Sequence, residues 1–318
     1  MHGKHRRETD RQLDMWLAVL GSSFDVPSFS RRDWDHFLHI RSVGVVDGRG
    51  REVSDPDVRR PVSKRVCAKD LASLRSAFKW ATEWRHPASR QFLLDVNPTR
   101  GLVLPREKNP RRQVVTFDRF LKLLEVAPRV RVKVGQGKKA KWVRVPLREL
   151  LIVAEATGRR IGAIVALRWS DWLPDRGTNG AIRWRADSDK LGREWITPVA
   201  SEVREALEAW RRECPGLGEA PIFPQTKDPN RSITLYHARD WLQKAEALAG
   251  LEHVRGGGWH SFRRKWAMER KGMELRDVAH AGGWTDPTTL LRVYQAPDPE
   301  ALERVVTERR KLREVAES

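Results

Sequence analysis

A stretch of 35 residues, from His260 to Tyr294, constrains this chain more than any other part. His260 and Arg263 are three residues apart, so a helix over residues 261–271 places both side chains on one face of its first turn. Gly272 interrupts the helical pattern. A second short helix is then predicted to end at glycines 282 and 283, which suit a C-terminal cap and a tight turn.

A third short helix is predicted to carry a tyrosine back to the first. Asp286 suits the N-cap and Pro287 the first helical position, with Tyr294 near the end. The preceding turn directs Trp284 toward the first helix. A phenol therefore comes within reach of an imidazole, a guanidinium and an indole. A buried tyrosine in a small helical core is the alternative interpretation.

The charge of the chain indicates a polyanionic partner, most often a nucleic acid. Lys and Arg number 61 against 42 Asp and Glu, which gives a net charge of +19 and a pI near 10.6. Residues 1–113 hold 23 basic and 14 acidic residues, and residues 114–318 hold 38 and 28. Both halves can therefore contact the same polyanion. A generally basic surface without such a partner is the alternative.

The cysteines and the hydropathy indicate the compartment. Cys67 and Cys214 are too few and too isolated for a disulfide framework or a zinc site, so a reducing, cytoplasmic setting is expected. The sequence contains no signal-peptide pattern and no apolar run approaching about 18 residues, so we expect no membrane association.

Five motifs, in their order along the chain, resemble those of tyrosine recombinases, the phage integrase family. HSFRR from His260, GGW ending at Trp284 and VY ending at Tyr294 match the family pattern of His-x-x-Arg, Gly followed by His or Trp, and a nucleophilic Tyr. Two further motifs occur upstream, as TGRRI from Thr157 and SDKLG from Ser188. The resemblance covers roughly residues 110–310, and a weaker match extends through the N-terminal third.

The resemblance implies a mainly α fold with a small antiparallel β-sheet (α+β), built from a helical N-terminal core-binding domain and a tyrosine-recombinase catalytic domain. The expected divisions are a DNA-clamping domain at residues 1–96, a basic linker at 97–113, a catalytic domain at 114–296 and a C-terminal helix at 297–318. The last helix either packs on its own chain or is exchanged between protomers.

The resemblance assigns catalytic roles to six residues: Arg160, Lys190, His260, Arg263, Trp284 and Tyr294. The two arginines are expected to hold the scissile phosphate, because guanidinium forks match phosphate oxygens and stay charged. The indole adds one N–H donor.

The expected nucleophile is Tyr294. A free phenol has a pKa of about 10, so attack at neutral pH needs a base or a strong positive field. His260 is the expected base, and Lys190 is expected to protonate the departing 5′ oxygen. The family chemistry implies a covalent 3′-phosphotyrosyl intermediate and requires no cofactor, neither a metal ion nor ATP.

The chain departs from the family pattern in three places, one of which is a helix after Arg263 about two residues shorter than usual. Gly162 and Ala163 stand where relatives often have a carboxylate, so other groups must support Arg160. Trp284 and Tyr294 are ten residues apart where nine is common. We expect the tyrosine helix to absorb the additional residue.

Basic residues outside the motifs are predicted to contact DNA phosphates, which require charge without strict geometry. Five lie on the polar side of a predicted helix from Ser63 to about Arg85, two in the linker and two at the Gly-rich turn of a predicted basic hairpin: Lys64, Arg65, Lys69, Arg75, Lys79, Arg111, Arg112, Lys138 and Lys139. The alternatives are a solvated helix face and a disordered loop.

These features predict a prokaryotic, cytoplasmic and nucleoid-associated site-specific recombinase of the integrase type. Its expected partners are double-stranded DNA and further copies of itself, as a dimer or tetramer on that DNA. A relaxase similar to type IB topoisomerases is one alternative, which the separate helical N-terminal domain disfavours. A non-catalytic DNA-binding protein that retains the fold is another, and it would have no need of a nucleophile.

Overall fold

The computed structural model describes residues 3–106, 113–188, 192–253, 256–294, 302–303 and 306–307, with the backbone alone for residues 3–7, 138, 292 and 293. The chain divides into two compact units, Met1–Pro110 and Arg111–Ser318. The division falls inside the stretch that the sequence assigns to a linker.

Three helices form the first unit. They are α1 (Gly3–Leu20), α2 (Arg31–Ser42) and α3 (Lys64–Glu83). Their apolar faces meet in one core, in which the rings of Trp16 and Phe37 stack with centroids 3.8 Å apart. Ser30 caps α2 in a reciprocal arrangement with Asp33. Local capping and an apolar stripe therefore account for this bundle.

A buried ion pair links α2 to α3. The Arg41 guanidinium lies 3.2 Å from the Asp70 carboxylate, and both side chains are almost fully buried. Burial raises the pKa of Asp70, and the charge of Arg41 opposes that rise. The main-chain carbonyl of Asp70 also accepts a hydrogen bond of 3.0 Å from Trp16. A polar junction thus lies within the apolar core.

The beginning of the predicted linker packs onto the first unit. Leu102 and Leu104 lie against its core. Arg75 of α3 donates a hydrogen bond to the Leu102 carbonyl, and Asn97 donates one of 3.4 Å to the Arg75 carbonyl. These residues therefore form part of the first unit, although the sequence suggests an extended segment.

The second unit contains eight helices in the described part of the chain. They are α4 (Phe117–Val126), α5 (Leu147–Thr157), α6 (Ile161–Val165), α7 (Ser201–Glu213), α8 (Leu235–Leu248), α9 (His260–Glu269), α10 (Leu275–Gly282) and α11 (Pro287–Thr289). The apolar helix α5 is central and packs against α7 and α9. It ends at Gly158, which has a φ of 60°, and a Cβ there would overlap the ring of Trp266. This close approach joins the end of α5 to α9.

Two small antiparallel sheets complete the second unit. One is a hairpin of β1 (Arg131–Val134) and β2 (Lys141–Arg144). The other has three strands, β3 (Trp172–Leu173), β4 (Ala181–Trp184) and β5 (Trp195–Pro198), in that order. Trp184 pairs with Trp195 where the β4–β5 connection begins and ends. Helices predominate over these short sheets, so the predicted fold class is confirmed.

The C-terminal part of the second unit follows the predicted succession of short helices. Gly283 has a φ of 70° and caps α10, and the Asp286 side chain accepts a hydrogen bond of 2.9 Å from the Thr288 amide at the start of α11. The last segment differs in kind, because Leu290–Tyr294 is a π-helix rather than an α-helix. No helix in the described ranges is long and apolar enough to cross a membrane.

Candidate active site

The hydroxyl of Tyr294 lies 2.7 Å from Nε2 of His260. His260 begins α9 and is exposed, whereas Tyr294 ends the π-helix and is 8% exposed. In the tautomer that carries its proton on Nδ1, the imidazole accepts a hydrogen bond from the phenol through Nε2. This is the geometry that a general base needs to take the phenol proton.

Arg263 is the most deeply buried charged group of the site, with 1% of its surface exposed. Its Nη1 donates to the carbonyl of Gly158, at 2.5 Å, and to that of Gly282. Its Nε and Nη2 have no hydrogen-bond partner among the described residues. The pKa of Arg263 is lowered to about 9, mainly by burial. Tyr294 opposes this lowering, and the charge of Arg160 adds to it. The group therefore remains a cation at neutral pH.

Trp284 lies beside Arg263 and supplies a third unpaired donor. The guanidinium carbon of Arg263 is 3.4 Å from the centroid of the indole, and Tyr294 meets that indole edge to face at 4.9 Å. The ring of Trp284 also stacks on that of Trp266, with the ring centroids 6.0 Å apart. The indole Nε1 is buried and makes no hydrogen bond with any residue that the structure describes.

Three buried nitrogen donors without partners are costly, at about 1–3 kcal/mol each. They come from adjacent side chains of Arg263 and Trp284, and one of those side chains is charged. Such a set suits an anion with several oxygens, of which phosphate is the common biological example. The ring of Tyr294 lies against both residues, so the expected nucleophile is in contact with the side chains that carry these donors.

Arg160 lies at the edge of this site. It is the N-cap residue of α6, it is exposed, and its guanidinium makes no hydrogen bond or ion pair with the residues described. It lines a small cavity together with Gly282 and Gly283. Its charge acts on Arg263, so both guanidinium groups contribute to one positive field.

Three predicted residues and the side chain of a fourth fall outside what the structure describes. Lys190, Arg111 and Arg112 lie outside the described residues, and so does the side chain of Lys138. The predicted C-terminal helix at 297–318 lies outside them as well, apart from four residues.

The other predicted DNA contacts lie on the surface, with one exception. The exposed residues are Lys64, Arg65, Lys69, Lys79 and Lys139. Arg75 is half-buried and is committed to the Leu102 carbonyl and to the ring of Trp34, 5.7 Å away. It therefore contributes to the packing of the first unit.

Residues 114–301 match the model of the phage integrase family, which is more than half of the chain. The chain belongs to the phage integrase family. It is by family a tyrosine-type site-specific recombinase, as the resemblance of its motifs implied.

Relatives and solved structures agree with this membership. The tyrosine recombinase XerC of Xanthomonas campestris pv. campestris (strain B100) is 25% identical over 265 residues, which cover 79% of this chain and 73% of the relative. The XerC of Xanthomonas axonopodis pv. citri (strain 306) is 24% identical over 269 residues, 79% of this chain and 77% of that relative.

Among solved structures, the XerH site-specific recombinase bound to a palindromic difH substrate has a TM-score of 0.69 at 16% identity, over 96% of this chain and 80% of that one. A lambda integrase dimer bound to a COC′ core site has a TM-score of 0.65 at 15% identity, over 93% and 72%. Both similarities concern the fold.

The π-helix accounts for the unusual spacing in this integrase-family chain. One additional residue in a helix forms a wider π turn. Residues 290–294 form such a turn directly before the Tyr294 hydroxyl contact. That the tyrosine helix absorbs an extra residue stays a prediction, and the π segment is the form in which the helix would accommodate it.

The sequence analysis missed the role of Arg159. This residue is 6% exposed, and its Nη2 donates a hydrogen bond of 3.1 Å to the His280 carbonyl. Its guanidinium carbon lies 4.9 Å from the ring of Trp184 and 5.9 Å from that of Trp195. Two adjacent arginines after Gly158 were visible in the sequence, but only the structure shows that Arg159 is buried and Arg160 exposed.

A second missed group anchors α9. Lys265 is 5% exposed and lies 2.5 Å from Glu155 of α5 and 2.6 Å from Glu269. The spacing of four residues between Lys265 and Glu269 was the available signal. This ion triad fixes the helix that carries His260 and Arg263.

Proposed function

We propose that this member of the phage integrase family is a site-specific DNA recombinase that cleaves and rejoins DNA strands through a covalent 3′-phosphotyrosyl intermediate at Tyr294. The observation that carries the proposal is the 2.7 Å contact between the Tyr294 hydroxyl and His260 Nε2. It lies beside three unpaired donors of Arg263 and Trp284.

The cleavage step is a displacement at phosphorus. As the scissile phosphate enters, the ring of Tyr294 rotates away from the buried donors of Arg263 and Trp284 and leaves them open to the phosphate oxygens. Its Oη then forms a bond to phosphorus while the bond from phosphorus to O5′ breaks. The phenol proton passes to His260 Nε2, and Lys190 donates a proton to O5′.

Negative charge grows on the non-bridging oxygens during this step. Arg263, Arg160 and the Trp284 indole hold those oxygens, because fixed donors in a buried site stabilise developing charge strongly. Guanidinium groups supply this stabilisation, so the proposed reaction uses neither a metal ion nor any other cofactor.

Rejoining reverses the same chemistry. The free 5′ hydroxyl of a partner strand attacks the phosphotyrosine and its proton returns to the Lys190 amine. The bond from phosphorus to Tyr294 Oη breaks, and His260 returns the proton to the phenolate oxygen. The energy of the phosphodiester is retained in the phosphotyrosine, so ATP is not consumed.

The proposed partners are double-stranded DNA and further copies of the chain. The net charge of +19 and the exposed lysines of α3 support phosphate binding. The lambda integrase dimer on a core site and the lambda integrase tetramer on a Holliday junction support assembly as a dimer or tetramer on DNA. We propose a prokaryotic cytoplasmic protein that associates with the nucleoid.

The test is covalent capture on nicked DNA. A pool of duplexes of random sequence, each with one nick and a labelled strand 5′ to it, traps the adduct because the short cleaved fragment diffuses away. The wild-type chain should give a labelled protein band that survives denaturation, and Tyr294→Phe should give none while still binding the pool.

The second tyrosine provides a matched control. Tyr236 is 76% exposed, and Tyr236→Phe should form the adduct at the wild-type rate. An adduct that persists in Tyr294→Phe would reject the assignment. Recovered sequences joined to a second duplex would distinguish recombination from relaxation, in which the same strand is resealed.

A further inference from the structure

A buried arginine with no assigned role lies where two catalytic segments meet. Arg159 directly precedes Arg160, and its Nη2 holds the His280 carbonyl near the end of α10. A Cβ placed on Gly283 would overlap the Arg159 guanidinium, so the turn before Trp284 rests directly on it. The Arg159 side chain therefore links the segment that carries Arg160 to the turn that carries Trp284.

Two tryptophans form a platform for this guanidinium. Trp184 and Trp195 are cross-strand partners, and their ring centroids lie 4.9 Å and 5.9 Å from the guanidinium carbon. Trp195 also meets the His280 ring edge to face at 4.5 Å. A planar cation on aromatic rings that also donates a directed hydrogen bond requires arginine, because a lysine ammonium cannot do both at one place.

Arg159 and Arg263 hold the same turn from two sides. Arg263 donates to the carbonyls of Gly158 and Gly282, and Arg159 donates to that of His280. The segment 158–160 is thus tied to the segment 280–284 by two guanidinium groups. Relatives often have a carboxylate shortly after the residue that matches Arg160, but this chain has Ala163 there, so no carboxylate at that position restrains Arg160.

We propose that Arg159 is a positioning residue for phosphoryl transfer. It sets Arg160 and the Trp284 indole at the distance from each other that the phosphorane oxygens require. This inference rests on the proposed function, because it assigns Arg160 and Trp284 to the scissile phosphate. Arg159 itself does not touch the phosphate.

The test compares Arg159→Lys with the wild-type chain on the DNA sequence recovered from the nicked pool. The variant keeps the charge and loses the planar fork. Adduct formation in a single turnover should be about 100-fold slower, because small displacements of catalytic groups have effects of this size. DNA affinity should stay close to that of the wild-type chain.

A neutral scissile group separates positioning from general loss of structure. In a methylphosphonate substrate a methyl group replaces one non-bridging oxygen, so less negative charge needs alignment with Arg160 and Trp284. The loss caused by Arg159→Lys should be much smaller on this substrate. Equal losses on both substrates, or a normal rate on phosphate, would overturn the inference.

Two further variants complete the design. Gly283→Ala displaces the same guanidinium while Arg159 is retained, and it should show the same dependence on the substrate even if Arg159→Lys folds poorly. Arg41→Lys alters a buried arginine of the first unit and should leave the rate unchanged on both substrates. A wild-type chain without any adduct would refute the proposed function, whereas a wild-type chain that forms the adduct together with a normal rate in Arg159→Lys would refute this inference alone.

Discussion

The guanidinium carbon of Arg263 lies 3.4 Å from the centroid of the Trp284 ring. The two side chains leave three buried nitrogen donors without partners in the described part of the chain. Unpaired buried donors destabilise a fold, whereas the same donors stabilise an anion that forms in front of them. The unpaired donors of Arg263 and Trp284 therefore lower the stability of the fold while they support the proposed catalysis.

Trp284→Phe should reduce catalysis more than stability. The Phe ring keeps a face for Arg263 but removes the indole N–H, so adduct formation should slow by about 100-fold, the usual effect of losing one such donor. Trp210→Phe is the matched control, because the indole of Trp210 donates to the Ile222 carbonyl at 2.6 Å. That control should lose about 1–3 kcal/mol of stability and keep its rate. Single-turnover assays and urea unfolding measure both quantities, and the reverse pattern would contradict the assignment of the indole.

Gly158→Ala should destabilise the second unit strongly. The residue has a φ of 60°, and the added methyl group would overlap the Trp266 ring. The loss should exceed the roughly 1–2 kcal/mol of left-handed strain alone. Gly21→Ala tests the strain by itself, since Gly21 has a φ of 89° and no atom within 4 Å of the added group. Similar losses of unfolding free energy in the two variants would show that the contact with Trp266 is unimportant.

Arg41→Met should leave the Asp70 carboxylate buried without its partner and cost about 3–5 kcal/mol. The control is Arg31→Ala, which removes an exposed pair with Asp35 and should cost less than about 0.5 kcal/mol.

Because burial already raises the pKa of Asp70 and Arg41 opposes this, Arg41→Met should raise that pKa further. The folded acid then binds its proton more tightly than the unfolded one, whose pKa is near 3.8. Stability should therefore fall as pH rises from below 3.8 through the raised pKa, and urea unfolding across that range measures it.

DNA binding should weaken steeply with salt. Each phosphate contact that is lost should reduce the slope of log affinity against log salt by about 0.9. Replacing Lys64, Arg65, Lys69 and Lys79 by Ala should therefore flatten the slope by up to about 3–4. Arg212→Ala, on the exposed side of α7, serves as a control for net charge. A slope that is unchanged in the fourfold variant would remove α3 from the DNA contacts.

Much of the candidate site was predictable because its elements are local. The spacing of His260 and Arg263 places them on one turn of a helix. Gly283 ends α10 and Asp286 caps α11 through contacts with residues close by in the chain. The extra residue before Tyr294 was also visible as a spacing, although the pattern alone does not say that a π-helix would accommodate it.

The sequence alone determined the short helices around the candidate site, the basic hairpin and the order of the motifs, since helix caps and hairpin turns depend on residues close together in the chain. Only the tertiary structure decided which of Arg159 and Arg160 is buried, which donors stay unpaired, and which carbonyls Arg263 holds. The reason is that burial arises between segments far apart in the chain, such as Gly158 and Arg263, 105 residues apart. No local pattern encodes which polar atoms will lack partners after such segments pack.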